Sequence, residues 1–90
     1  MSYSDNIIAL ATPSGVGAIA IIRISGNDAI TICQSFFKSV SGKLLQEQNT
    51  HTIHLGHIID NERVIDEVLV SVFKDPQSYT GENIVEISCH

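Results

Sequence analysis

A chain of 90 residues that is 43% hydrophobic and only 17% charged has room for one small globular domain and does not read as a disordered one. Its net charge is −5, and its five basic residues, Arg23, Lys38, Lys43, Arg63 and Lys74, are scattered. Gripping a phosphate backbone takes clustered Lys and Arg, so any nucleic-acid role has to come through other domains or partners.

The polar start, Met1-Ser2-Tyr3-Ser4-Asp5-Asn6, lacks a basic n-region, and the apolar runs fall well short of the roughly 18 residues of a membrane span. Cys33 and Cys89 stand far apart without CxxC spacing. Reduced thiols, a cytoplasmic setting and no membrane contact are expected.

Residues 6–11 (Asn-Ile-Ile-Ala-Leu-Ala) predict a short first strand. Thr12-Pro13-Ser14-Gly15-Val16-Gly17 is a loop, because Pro13 disfavours helix before it and two glycines free the backbone. Residues 18–25 predict a second strand. Ala18, Ala20, Ile22 and Ile24 make one wholly apolar face, while Ile19, Ile21, Arg23 and Ser25 make a face that turns polar only at its end. A guanidinium keeps its proton, so Arg23 in such a strand needs an anionic or hydrogen-bonding partner.

Ser25-Gly26-Asn27-Asp28 carries helix-start chemistry, with Ser25 or Asn27 as cap and Asp28 favourable at the positive end of the dipole. Ala29, Ile30, Cys33, Phe36, Phe37 and Val40, mostly three or four apart, predict a helix over 27–38 with Cys33 on its buried face. Residues 43–50 are polar and read as a surface connection. Third and fourth strands are expected over 52–59 and 64–74, joined by a hairpin at 60–63, and a fifth over 84–89 after the loop 75–83. The order β-β-α-β-β-β is an α+β domain spanning 1–90. One helix against so many strands leaves apolar surface without a cover, which is expected of a fragment or of a chain that pairs with a second copy.

Three stretches taken together resemble the N-terminal domain of the bacterial tRNA modification GTPases, the MnmE (TrmE) family. They are Asp5-Asn6-Ile7-Ile8-Ala9-Leu10-Ala11-Thr12-Pro13, then Gly15-Val16-Gly17-Ala18-Ile19-Ala20-Ile21-Ile22-Arg23-Ile24-Ser25-Gly26, then Ser78-Tyr79-Thr80-Gly81-Glu82-Asn83-Ile84-Val85-Glu86-Ile87-Ser88-Cys89-His90. The chain departs from the family at Asn83, where an Asp is usual, and the two glycines that usually follow the position of His90 are not in this sequence.

The resemblance implies a domain similar to the folate-binding domain of glycine-cleavage aminomethyltransferase, cut before its last helix. It would bind a 5-formyl-tetrahydrofolate-type one-carbon donor and form a homodimer by exchanging first strands. The family's folate-binding arginine falls on Arg23 and its folate-binding glutamate on Glu86; a third binding residue, a lysine, lies beyond His90. The resemblance further implies a parent GTPase whose GTP, Mg and K sites belong to a domain absent here, and which modifies carbon 5 of the wobble uridine of tRNA with the flavoprotein MnmG (GidA). Two rival expectations are a stand-alone aminomethyltransferase-like folate enzyme and a purely structural dimerisation domain.

The residues themselves leave two readings of Arg23 and Glu86. A carboxylate can read the donor edge of a pterin and a guanidinium suits a carbonyl, formyl or carboxylate oxygen; alternatively the two charges simply pair or sit at exposed strand ends. Gly15 and Gly17 lead into a strand rather than a helix, which is wrong for a phosphate cradle, and no Gly-x4-Gly-Lys-Ser/Thr motif occurs, so the chain should not hydrolyse GTP. His51, His54 and His57 have a metal-like spacing, but on a strand His54 points away from the other two and nothing completes a shell. Tyr79-Thr80-Gly81-Glu82 reads as a structured turn rather than a catalytic acid, and the resemblance implies that it shapes a pocket mouth or interface. Cys33 is core packing. Cys89 has no activating base beyond neighbouring His90, and no catalytic residue is assigned.

Overall fold

The computed structural model describes residues 6–10, 20–75 and 82–89. The chain forms β1 (Ile7–Leu10), β2 (Ala20–Ser25), α1 (Ala29–Gln34), β3 (Phe37–Ser39), a single 3-10 turn (Leu45–Glu47), β4 (Thr52–Asp60), β5 (Arg63–Phe73) and β6 (Ile84–Cys89). The strands make one antiparallel sheet in the order β1-β2-β6-β5-β4-β3, with β1 and β3 at its edges. It is a small, mostly-β domain with little helix.

β6 is last in the chain but lies inside the sheet, between β2 and β5. Its composition suits that place, since Ile84, Val85 and Ile87 are all buried. Alternation along the strands then sorts the two faces. On the covered face, Ile24, Val68, Val70, Val72, Val85 and Ile87 meet Ala29, Ile30 and Cys33 of α1, with Phe37 and Leu45 completing the core. At roughly 25 cal/mol per Å² of apolar area, packing of this kind supplies most of the favourable free energy of folding. The other face is open and carries Arg23, Glu86 and Ser71 in one cross-strand row.

Three expectations are corrected. The helix expected over 27–38 spans only Ala29–Gln34, and Phe37-Lys38-Ser39 is an edge strand. Cys33, Phe37 and Val40 satisfy a helical spacing, but Phe37 and Ser39 are buried while Lys38 is exposed, which is a strand alternation. Pairing with Gly56, His57 and Ile58 of β4 decides the outcome. The cap expected at Ser25 or Asn27 falls on Asp28, which makes no side-chain cap bond. Instead Asn6 Oδ1 accepts from the Asp28 backbone N–H at 3.0 Å and Asn6 Nδ2 donates to Asp28 Oδ2 at 3.2 Å, so the approach to β1 closes the helix start.

The connection over 43–50 is not wholly on the surface, because Leu45 is fully buried. Gln34 holds it there: its Oε1 accepts from the Leu45 N–H at 2.6 Å and its Nε2 donates to the Phe37 carbonyl at 3.0 Å.

The β4–β5 hairpin forms where expected, closing between Asp60 and Arg63. Asn61 (φ 49°) and Glu62 (φ 66°) are both left-handed, the conformation that two-residue hairpins favour. Just beyond, Ile58 pairs with Asp66 and Ile59 with Val64, so Ile65 is the extra residue of a bulge. The expected uncovered apolar surface is present: Ile7, Ile8, Ile53 and Val64 are each more than half exposed.

Candidate functional site

Arg23 and Glu86 are directly opposed in the β2–β6 register. Arg23 Nε and Nη2 both donate to Glu86 Oε2, at 2.8 and 2.5 Å. The side chains are 37% and 23% exposed, so the pair sits at the surface of the sheet and not within the core. Two donors from one guanidinium converge on a single carboxylate oxygen, which pins that oxygen to Arg23. Glu86 Oε1 is engaged by no described residue.

Apart from Ser71 and Ser88, the cross-strand neighbours of this charge pair are apolar. Row by row on the open face, Ala9, Arg23, Glu86, Ser71 and Ile53 lie side by side, flanked by the row Ile21, Ser88, Leu69 and Leu55. Leu69 and Leu55 are 45% and 42% exposed, forming a shelf on which a flat ring can lie. Such an arrangement can do two things at once: read polar edges through fixed charges and bury a ring face against aliphatic side chains.

The ends of these strands are fastened by Asn83. Its carbonyl accepts from Gly26 N–H at 2.9 Å, its Oδ1 accepts from Asp75 N–H at 2.8 Å, and its Nδ2 donates to the Asn27 carbonyl at 3.3 Å. One side chain therefore ties the start of β6 to the exits of β2 and β5, three residues before Glu86. A carboxylate at this position could accept from Asp75 but could not donate to Asn27. Sequence reasoning saw only a changed charge here, because the clamp depends on two partners far away in the chain.

The other candidates disperse. His54 faces the covered side, where its Nε2 lies 2.8 Å from Thr52 Oγ1; burial and then Lys43 lower its pKa. His57 is on the open face, 3.5 Å from Glu67. His51 precedes β4 with φ 61° and meets Phe73 edge-on at 5.2 Å. Among the described residues no group of three or more His, Cys, Asp or Glu could hold a metal ion.

Cys33 is fully buried, and burial pushes its thiol up to about 12. Cys89 is half-buried with its pKa raised by burial and by Asp66, the opposite of an activated nucleophile. It borders an apolar groove of about 300 Å³ on the covered face with Ile8, Ile22, Phe36, Ile58 and Ile65. The loop with Gly15 and Gly17, the turn Tyr79-Thr80-Gly81 and His90 lie outside the described residues. No helix among the described residues is long and apolar enough to cross a membrane.

Comparison with known proteins agrees with the motifs. The family described as GTP-binding protein TrmE N-terminus matches residues 6–90. Over its whole length the chain is 64% identical to a tRNA modification GTPase MnmE of Flavobacterium psychrophilum and 50% identical to one of Clostridioides difficile. It is also 50% identical, over 96% of its length, to that of Bacillus subtilis. It spans 20%, 20% and 19% of these relatives, about one fifth of their length. With a match that runs through both strands of the Arg23–Glu86 pair, the chain belongs to the TrmE N-terminal domain family.

Proposed function

We propose that this domain binds a reduced one-carbon folate of the 5-formyl-tetrahydrofolate type on its open sheet face and pairs with a second copy of itself. In this reading it serves a longer tRNA modification GTPase that acts with MnmG in the cytoplasm on carbon 5 of the wobble uridine. GTP, Mg and K would be handled by a domain outside this chain. The observation that carries the reading is the Arg23–Glu86 pair, in register on neighbouring strands and partly exposed beside an aliphatic shelf.

The residues present fit a pterin. Its 2-amino and ring N–H groups are donors on one edge, and Glu86 Oε1 is an acceptor that no described residue engages. Arg23, held by Glu86, presents a fixed positive charge to a formyl or carboxylate oxygen. Ile21 and Leu69 on the adjoining row can cover the ring face and exclude water. The folate itself would supply the one-carbon unit; this chain's residues bind and orient it.

The pairing half rests on the exposed apolar residues of β1 and of the open face, which cost free energy in water unless covered. Isothermal titration of the protein at its full natural length with 5-formyl-tetrahydrofolate tests the ligand. Saturable binding in the wild type, lost in Arg23→Ala and in Glu86→Gln, is expected; absence of binding in the wild type overturns the folate reading. Sedimentation with and without residues 1–12 tests the pairing, which should weaken on their deletion.

A further inference from the structure

We infer that Ser71 is a third polar contact of the site, with its hydroxyl donating to the C4 carbonyl of the bound pterin beside the edge that Glu86 reads. The inference rests on the folate reading above and adds a residue that the family resemblance does not assign.

Glu86 has two cross-strand neighbours on the open face, Arg23 on β2 and Ser71 on β5. Arg23 occupies Oε2, leaving Oε1 without a described partner. On the other side, Ser71 is half-buried, yet its hydroxyl makes no hydrogen bond to any described residue. Val70 and Val72 turn to the covered face and are fully buried, so Ser71 between them stands on the open face beside Glu86. Directly opposed side chains on a sheet lie about 4.5–5.5 Å apart at Cβ, which is too far for Ser71 and Glu86 to be one group and close enough for a single ring edge to meet both.

The chemistry of the two groups is complementary to one molecular edge. A 2-amino-4-oxo pyrimidine ring presents two N–H donors followed by a carbonyl acceptor. A carboxylate takes the donors, and a hydroxyl one strand away supplies the donor that the carbonyl needs. Beyond Ser71 in the same row stands Ile53, 67% exposed, so the polar reading ends there.

The test uses the protein at its full natural length, with Ser71→Ala, which removes the hydroxyl, and Ser71→Thr, which keeps it on a residue suited to a strand. Titration with 5-formyl-tetrahydrofolate should show Ser71→Ala weakened by about five- to tenfold, the factor expected for one neutral hydrogen bond, and Ser71→Thr within about twofold of wild type. Melting of the unliganded protein should be the same for all three.

Difference infrared spectra with the ligand labelled at C4 with carbon-13 should show the carbonyl stretch of the bound ligand moving to higher frequency in Ser71→Ala. If the wild type binds and Ser71→Ala matches it in affinity and in carbonyl frequency, the Ser71 inference is overturned while the folate reading stands. If the wild type does not bind, both fall together.

Discussion

Gly56 offers the sharpest test of the packing that shapes the sheet. It lies in β4 opposite Ser39 of β3 and Val68 of β5, beneath the ring of Phe37, which is itself 3% exposed. A Cβ on Gly56 would overlap the Lys38 carbonyl oxygen and the Phe37 ring, coming 2.5 Å from Cε1. Carbon atoms pack best at about 3.5–4.0 Å, so the ring would have to retreat by roughly 1 Å into a filled core.

The carbonyl has less room still, because β3 is fixed to β4 by the Val40 N–H to Leu55 O bond of 3.0 Å and the Ile59 N–H to Phe36 O bond of 2.7 Å. Overpacking of this kind costs about 1–3 kcal/mol. Replacing glycine by alanine within a strand returns roughly 0.5–1 kcal/mol. With backbone as one of the two obstacles, the upper part of the range applies and Gly56→Ala should lose about 2 kcal/mol. For a domain of this size that is a fall in Tm of roughly 8–16 °C, read by circular dichroism.

Phe37→Leu makes room for the new methyl, so the double variant should be less destabilised than the sum of the single ones by at least about 0.5 kcal/mol. A Gly56→Ala protein melting within about 2 °C of wild type would refute the reasoning.

Three further outcomes follow from the same structure. Glu86→Gln should change the stability of the unliganded chain by less than about 1 kcal/mol in urea melts, since the Arg23–Glu86 pair lies at the sheet surface, partly exposed and partly screened by solvent; a loss several times larger would mean that the pair chiefly holds the sheet together. Native protein at pH 8 should be alkylated by iodoacetamide at Cys89 and not at Cys33, whose thiol stays protonated to about pH 12. The unfolded Cys33 thiol ionises from its ordinary 9.0, so above pH 9 the folded state binds more protons and stability falls as pH rises towards 12, with none of this loss below 9. Equal labelling of the two cysteines before denaturation contradicts the burial.

The strands that alternate over several residues were legible in the sequence: Val68, Val70 and Val72 of β5 and Val85 and Ile87 of β6 stand on the predicted faces and are buried. The second strand begins at Ala20 within the described residues, inside its expected span. What failed was decided by distant partners. Phe37, Lys38 and Ser39 have no local preference strong enough to leave a helix, and β4 supplies the reason. Leu45 is one apolar residue in a polar stretch, and Gln34 draws it into the core. At the site, the residue types and faces of Arg23 and Glu86 were readable. Their register was not, because it depends on β6 inserting between β2 and β5. The same insertion puts Ser71 beside Glu86, across a loop that no local pattern spans.

The two edges of the sheet are not equivalent, and the difference limits how far the domain can assemble. β3 is three residues long and presents Lys38 outward, a charged and abbreviated edge that resists the addition of another strand. β1, Ile-Ile-Ala-Leu, has no charge, and all four residues are exposed. A joint made edge to edge through β1 would consume the only receptive edge among the described strands. Growth of the sheet would then stop at two copies, a closed pair with two-fold symmetry, instead of running on into a filament.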